Sequence, residues 1–231
     1  MILFIQFGGM NMIKVENLEV LNFEGALRGM RNPLESWDKS DSYYDKDTGK
    51  YVIGPKDLAL ALKLTKAGSD HSKFLRQIFV SMDITAPMSW WWDFDTYKVA
   101  TVRNSTSRMH KLGTRLLTFD DFSLDDEQGN INITPFRKYV LEDLNKRIEK
   151  YQQLKNDGKN EEAMALWREI VFDSPQSYNF RSTWTGNYEI MRNVYRARKN
   201  HKQREFRDFC KFIEEKFPYS ELITTPREGV K

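Results

Sequence analysis

Cysteine and histidine are scarce in this sequence. Cys210 is the single cysteine in 231 residues, so no disulfide can form within the chain and a reducing, cytoplasmic location is expected. The histidines, His71, His110 and His201, lie far apart in the sequence. Without a second cysteine near any of them, a zinc site is not expected.

Long apolar runs are also missing. The apolar start of the sequence, residues 1–15, lacks a basic n-region and is too short to span a membrane. It favours an edge strand, or an extension of residues 1–11 ahead of a start near Met12. No later segment predicts a membrane span, so we expect no membrane partner. Residues 12–231 are expected to form a single domain.

Charge of one sign is not in excess. The formal net charge is +3, although 30% of the residues are charged, and 40% are hydrophobic. This mixture is typical of a globular protein rather than a disordered one. The small net charge gives no argument by itself for a nucleic-acid partner.

Helical and strand periodicities are both present. Residues 12–23 and 76–84 have strand character, whereas Pro55–Gly68 has the starting proline and following glycine of an amphipathic helix. Thr134–Pro135 begins a helical hairpin, and residues 185–218 predict further helix with one break. The balance predicts a helix-rich α+β protein.

Three consecutive tryptophans, Trp90–Trp92, form an unusual segment. On a helix they point in directions about 100° apart, so no single core face takes all three. Two interpretations stay open: packing with a subunit interface, or an aromatic wall beside a planar ligand. We expect packing or subunit contact for at least two of them.

Cations alternate with hydroxyl groups between Lys98 and Lys111. Arg103 and Arg108 lie there among threonines and serines. A guanidinium group matches a phosphate with two prongs and hydroxyls add neutral donors, so the pattern suits a phosphate site on a loop. The segment has no glycine-rich cradle, which excludes a P-loop. A solvated loop with surface charges stays open as the alternative.

A cationic set lies between Arg192 and Arg207, with seven cations against one acid, Glu205. Arg192, Arg196 and Lys199 share one helical face. The set is compatible with a nucleic-acid stripe, the wall of a nucleotide pocket or a solvated helix face, and all three stay open.

No pair of nucleophile and base is evident. Cys210 lies among apolar residues of an amphipathic helix, which favours a core residue over a catalyst. Asp93 and Asp95 are two residues apart on an expected helix and point to different faces, so they are a weak acid–base pair.

The residues after Ala86-Pro87 resemble the signature of the flavin-dependent thymidylate synthases. In that family a strand ends in Ala-Pro, a helix with Arg-Gln-Trp follows, and then comes Arg-His-Arg-x-x-Ser-x-Asn-Glu-x-Ser-x-Arg. Without a gap, the signature falls on Thr96, Tyr97, Lys98, Thr101, Arg103, Asn104, Thr106 and Arg108.

A second block is similar to the same family in order and spacing. The family's Trp-Thr-x-Asn, its further Asn, its Arg and its His-x-Gln-x-Glu resemble Trp184, Thr185, Asn187, Asn193, Arg198, His201, Gln203 and Glu205. A looser third match, Lys66–Val80, contains His71 and resembles the family's Gly-His-x-x-Pro-x-Glu-His.

The resemblance implies a homotetramer with a small, mainly antiparallel sheet and shared sites. It implies FAD as cofactor, dUMP as substrate, methylenetetrahydrofolate as carbon donor and NADPH as reductant. It implies that Arg198 is catalytic and polarises the uracil. The resemblance also implies substrate contacts from Arg108, Thr106, Arg103, Asp93 and Arg168. It implies cofactor contacts from Lys98, Tyr97, His71, Asn187 and Asn193.

Several positions depart from the family's pattern. Thr96–Lys98 replaces the Arg-His-Arg that lies against the flavin, and Asn104 replaces a glutamate. Asp93 replaces a glutamine, Glu189 an arginine, and Arg76 a flavin-contacting glutamate. Two alternatives therefore stay open: the same fold with altered pyrimidine chemistry such as hydroxymethylation, or a non-catalytic relative that binds a nucleotide or nucleic acid.

Overall fold

The structure, a computed structural model, describes residues 13–227, apart from the side chain of His110. The expected extension of residues 1–11 lies outside this range. Its separation from a domain of residues 12–231 therefore stays a prediction.

The strands form a small antiparallel sheet and one short hairpin. The strands are β1 (Lys14–Leu21), β2 (Tyr43–Tyr44), β3 (Tyr51–Val52), β4 (Phe79–Pro87), β5 (Val102–Ser105) and β6 (Asn179–Asn187). The four-stranded sheet has the order β1-β4-β6-β5, and β2 pairs with β3. Together with the helices, this confirms the predicted helix-rich α+β fold with a small antiparallel sheet.

Helices make up most of the remaining regular structure. They are α1 (Phe23–Arg31), α2 (Pro55–Ala67), α3 (Met88–Phe94), α4 (Arg108–Lys111), α5 (Pro135–Asn156), α6 (Asn160–Asp173), α7 (Tyr188–Arg198), α8 (Arg204–Lys216) and α9 (Glu221–Thr224). The predicted proline start of α2 is confirmed, and Gly68 follows its end with a φ of 121°, a conformation that glycine adopts without strain.

Strand β4 shows the predicted alternation. Val80, Met82, Ile84 and Ala86 are all buried, while the residues between them are partly exposed. The strand continues through Pro87, which was predicted to begin the next helix. Backbone hydrogen bonding reaches this far along the chain, since Met88 N–H is bound at 3.0 Å to the carbonyl of Tyr178, the residue before β6.

Two other segments differ from their predictions. Residues 185–187 were expected to be helical but end β6, where Ser182, Trp184 and Gly186 are buried in alternation with exposed threonines. The cation–hydroxyl segment was expected to be a loop, yet it contains β5 and α4. All four residues of β5 are exposed, so this edge strand has no burial pattern that a sequence could reveal.

The described residues divide into two compact units. The first unit comprises 13–16, Asp83–Asp93 and Asn104–Thr183. Within it α5 and α6 pack against each other as the predicted helical hairpin. Its main apolar cluster consists of Leu112, Leu117, Phe122, Leu124, Leu144, Ile148, Ile170 and Val171.

The second unit comprises Asn17–Met82, Phe94–Arg103 and 184–227. Helix α7 lies at its centre and packs against α8 and α9. The ring of Phe94 lies 5.5 Å from Trp184 and 5.6 Å from Phe209 between centroids, so aromatic contacts fill this core.

Thr134 caps α5, and its loss gives a first prediction. Its hydroxyl accepts a hydrogen bond from the Arg137 amide at 3.2 Å. Thr134→Ala leaves that amide without its partner and is expected to lower the free energy of unfolding by about 1 kcal/mol. Urea denaturation measures the change, and Thr134→Ser is the control that keeps the hydroxyl. An alanine variant as stable as the parent would contradict the cap.

Within residues 13–227, every helix is too short or too polar to cross a membrane. The same residues contain no group of His, Cys, Asp and Glu side chains that could hold a metal ion.

Candidate nucleotide-binding site

Arg198 lies at the end of α7 between two aromatic rings. Its guanidinium carbon is 5.7 Å from the centre of the Tyr97 ring and 4.7 Å from that of Phe206. Its Nε donates to the Tyr97 hydroxyl at 3.1 Å, and a terminal nitrogen lies 2.7 Å from His201 Nε2. These contacts fix both the position and the plane of the guanidinium group.

The partners of Arg198 determine part of the histidine chemistry. A guanidinium group has only donors, and the Gln203 amide also points at His201, 3.2 Å from Nδ1, so both ring nitrogens face donors while a neutral imidazole accepts through only one of them. The His201 ring also packs against Phe206 edge-to-face, with centroids 5.0 Å apart. We name Arg198, Tyr97, His201 and Phe206 the Arg198 cluster. It joins a fixed cation to flat apolar surfaces, a combination that suits a planar ligand with carbonyl acceptors.

Other predicted cofactor residues in the second unit have different surroundings. Asn187 is buried, and its side-chain oxygen accepts from the Ile190 amide at 3.1 Å, so it caps α7. Lys98 and His71 are exposed. Asn193 lines a cavity on α7. The structure thus brings Tyr97 to Arg198 and places Asn193 in a cavity.

This cavity has a volume of about 510 Å³ and a cationic lining. Its described lining residues include four cations and no Asp or Glu: Arg192, Asn193, Tyr195, Arg196, Lys199, Ile223, Thr224, Thr225, Pro226 and Arg227. We name it the α7 cavity. Its size lies in the range of small-molecule and cofactor sites.

Arg108 lies at the start of α4 in the first unit. One terminal nitrogen is 3.3 Å from Ser174 Oγ and 3.5 Å from Met88 Sδ, and its guanidinium carbon lies 5.5 Å from the centre of the Phe180 ring. Thr106 is exposed and donates its amide to the Arg181 carbonyl at 2.8 Å. These positions give a held cation with a threonine hydroxyl two residues away, the pair that the sequence assigned to phosphate.

The remaining predicted substrate contacts are spread over both units. Arg103 pairs with Asp95 at 3.0 Å in the second unit. Burial raises the pKa of Asp95, and Arg103 opposes that change. In the first unit, Asp93 is partly buried at the end of α3, and Arg168 on α6 lies 5.0 Å from the centre of the exposed Phe172 ring.

The cationic set of residues 192–207 does not form one continuous stripe. Arg192 is 4% exposed, and it donates to the carbonyls of Leu222 at 3.2 Å and Thr65 at 3.3 Å. Arg207 donates to the carbonyl groups of His201 and Lys202. These two arginines hold the fold together, which a count of charges along the sequence cannot reveal.

Packing accounts for two of the three tryptophans. Trp90 and Trp91 are buried and contact each other edge-to-face at 5.0 Å, and Trp91 Nε1 donates to the Phe180 carbonyl at 3.3 Å. Trp92 is 55% exposed. Cys210 is buried as predicted, and burial raises the pKa of its thiol to about 12, so it is protonated at neutral pH.

The sequence did not reveal the partner of Glu189. Its carboxylate forms an ion pair of 2.6 Å with Arg227, which also donates to Ser72 Oγ at 3.3 Å. Both members of the pair are largely buried, with exposed side-chain fractions of 12% and 13%. No local pattern links residues so distant in the chain.

Solved structures of thymidylate synthases share this fold. Thymidylate synthase X of Helicobacter pylori, crystallised with FAD and dUMP, matches with a TM-score of 0.63 and 15% identity over 92% of this chain and 97% of that chain. A second structure, of the flavin-dependent thymidylate synthase from the same organism complexed with FAD and dUMP, has a TM-score of 0.61 and 14% identity over 94% and 100%. No family model and no curated protein matches the sequence. The chain therefore has the fold of flavin-dependent thymidylate synthases.

Proposed function

We propose that this chain binds a deoxyuridine nucleotide and FAD, and that it methylates dUMP as a flavin-dependent thymidylate synthase-like enzyme. The observation that carries the proposal is the Arg198 cluster, in a chain whose fold matches an enzyme solved with FAD and dUMP. Methylenetetrahydrofolate is the proposed carbon donor and NADPH the proposed reductant. A homotetramer in the cytoplasm belongs to the same proposal.

Arg198 is the proposed contact of the pyrimidine ring. Its plane is held by Tyr97 and His201, so its N–H groups are oriented before a ligand arrives. A fixed guanidinium next to a uracil carbonyl stabilises negative charge that develops on that oxygen during reaction. Because no side chain had the pattern of a nucleophile, the protein's role is to bind, orient and polarise.

Arg108 is the proposed contact of the nucleotide phosphate, with the Thr106 hydroxyl as a second donor. Ser174 and the Phe180 ring hold the guanidinium group of Arg108 from two sides. Arginine suits this role since it retains its charge at all physiological pH values and matches phosphate oxygens with parallel donors.

FAD carries two linked phosphates, and the α7 cavity has a donor set that fits them. Asn193, Arg196, Lys199 and Arg227 line it, and Thr224 adds a hydroxyl. The cations would neutralise the phosphates, and the amide would supply a hydrogen bond. When bound, FAD supplies the redox and one-carbon transfer chemistry, and the protein supplies binding and electrostatics.

Titration with two ligands tests the proposal on the purified protein. The visible absorption of oxidised flavin reports FAD, and calorimetry reports dUMP. Arg108→Ala is expected to weaken dUMP binding by about 10- to 100-fold, the effect of losing a charged hydrogen bond. The same variant should bind deoxyuridine, which has no phosphate, as well as the parent does.

Three results would redirect the proposal. A protein that binds neither FAD nor dUMP refutes it. Bound flavin without formation of thymidylate favours altered pyrimidine chemistry, for which the Thr96–Lys98 replacement is the motivating observation. Binding of DNA or RNA with steep salt dependence, and no binding of dUMP, favours the non-catalytic relative, in which the exposed Arg196, Lys199 and Lys202 contact phosphates.

A further inference from the structure

The α7 cavity has an arginine that arrives from the segment after α9. Arg227 lies in its lining, and Glu189 holds it at 2.6 Å from the first turn of α7. Ser72 accepts a second hydrogen bond at 3.3 Å from the same terminal nitrogen. The guanidinium group is therefore oriented by two side chains from other parts of the second unit.

Charge in this cavity is unbalanced. Four cations and no Asp or Glu line it among the described residues, while beside it Glu189 pairs with Arg227 and Glu214 accepts a hydrogen bond from Tyr195. Arg192 donates to two carbonyl groups. Burial, and then the nearby charge of Arg227, lower the pKa of Arg192. An anion in the cavity would relieve this repulsion.

One donor in the cavity wall has no partner among the described residues. Arg227 Nε is buried and makes no hydrogen bond there, and the same holds for Glu189 Oε2, the second oxygen of the carboxylate that pairs with Arg227. Buried donors are nearly always satisfied in folded proteins, and a missing bond often marks a ligand or ion position. The terminal nitrogen beside Nε already donates to Glu189 and Ser72, so Nε and the other terminal nitrogen are the donors that remain for a ligand.

We propose that the α7 cavity is a diphosphate-binding site in which Arg227, oriented by Glu189, is an anion-binding residue. The site takes a linked pair of phosphates, either free pyrophosphate or the diphosphate of a dinucleotide such as FAD. The second source rests on the proposed function, whereas the first does not. In either case the segment Thr225–Arg227 is part of the binding site, and α7 alone does not complete it.

Calorimetric titration of the full chain with inorganic pyrophosphate, without FAD or dUMP, tests the proposal. The parent is expected to bind. Arg227→Ala is expected to bind at least about tenfold more weakly, since it loses a charged hydrogen bond. Lys211→Ala on α8 is the matched control: its side chain is 69% exposed, it removes the same charge, and it should bind as the parent does.

A charge exchange separates ligand binding from structural support. Glu189→Arg combined with Arg227→Glu restores an ion pair but puts a carboxylate into the lining. The exchanged variant is expected to have a melting temperature above that of Arg227→Ala and close to that of the parent. It is nevertheless expected to bind pyrophosphate no better than Arg227→Ala does. Arg196→Ala, at an exposed lining position, provides a second test that leaves the pair intact and should weaken binding severalfold.

The outcomes are distinct. Absence of pyrophosphate binding by the parent overturns the proposal, as does parental affinity in Arg227→Ala or in the exchanged variant. Displacement of pyrophosphate by FAD supports the site and shows that the diphosphate it takes belongs to a dinucleotide. Binding of both ligands together supports the site and identifies a separate phosphate ligand. Pyrophosphate binding in a chain that takes up neither FAD nor dUMP keeps this site and refutes the proposed function.

Discussion

Arg198→Ala is expected to weaken dUMP binding by about 10- to 100-fold, because it removes a charged donor whose plane the fold already fixes. Turnover, if the proposed reaction occurs, should fall further, since the guanidinium group stabilises charge that develops on the uracil oxygen. Calorimetry measures the first effect, and a thymidylate assay under saturating dUMP measures the second.

Two variants separate charge from geometry at this position. Arg198→Lys keeps the charge but loses the planar fork, so it should recover a small part of the affinity. Tyr97→Phe keeps the ring beside the guanidinium and removes the hydroxyl that lies 3.1 Å from Nε, so its loss of affinity should be smaller than that of Arg198→Ala. An Arg198→Ala protein with parental melting temperature and parental affinity for dUMP would exclude the pyrimidine role.

Asp57→Ala is expected to lower the free energy of unfolding by about 3–5 kcal/mol, the effect of leaving one charge of a buried pair without its partner. Asp57 is fully buried, and Arg31 Nε donates to it at 2.6 Å. The hydroxyls of Ser40 and Ser42 also donate to it, each at 2.6 Å. Urea denaturation measures the change. The control is Asp47→Ala, at an exposed position in the turn between β2 and β3, and it should change stability little.

The same carboxylate predicts a pH dependence of stability. Burial acts to raise the pKa of Asp57, but hydrogen bonds from Ser40, Ser42 and Arg31 outweigh burial and leave it below its ordinary value. A lowered pKa in the folded state means that the contribution is present above the pKa of an unfolded aspartate, about 4. It is lost as the pH falls through the lower folded value. The stability gap between the parent and Asp57→Ala should therefore narrow in acid, and a gap that is constant from neutral to acidic pH would contradict this.

Local signals in the sequence were sufficient for elements whose causes are local. The proline and glycine around α2, the threonine cap of α5 and the alternation in β4 each act within a few residues, and each is confirmed. Strand β6 was not predicted, and its last residues, 185–187, were assigned to a helix because a strongly helical sequence follows them. The boundary is marked by the burial of Trp184, which depends on packing, and by the Asn187 cap, a local signal that the prediction did not use.

The candidate site was predictable in parts for the same reason. The resemblance identified Arg198, and the structure shows which rings lie beside it. Tyr97 is far from it in the chain, and Phe206 lies beyond a helix break. A charge count could not separate the buried Arg192 from the exposed Arg196. Nor could it find the Glu189–Arg227 pair, since long-range ion pairs leave no periodicity.

The tryptophan segment has a spectroscopic consequence. Three adjacent indoles share one short helix, yet two are shielded and Trp92 is 55% exposed. A collisional quencher such as acrylamide should reach the fluorescence of Trp92 and leave that of Trp90 and Trp91 in the intact protein. In the variant Trp92→Phe, the part of the quenchable fluorescence that this helix contributes is expected to disappear. A later gain in quenching in that variant would then report exposure of shielded indoles, which include Trp90 and Trp91 of this helix as well as Trp184.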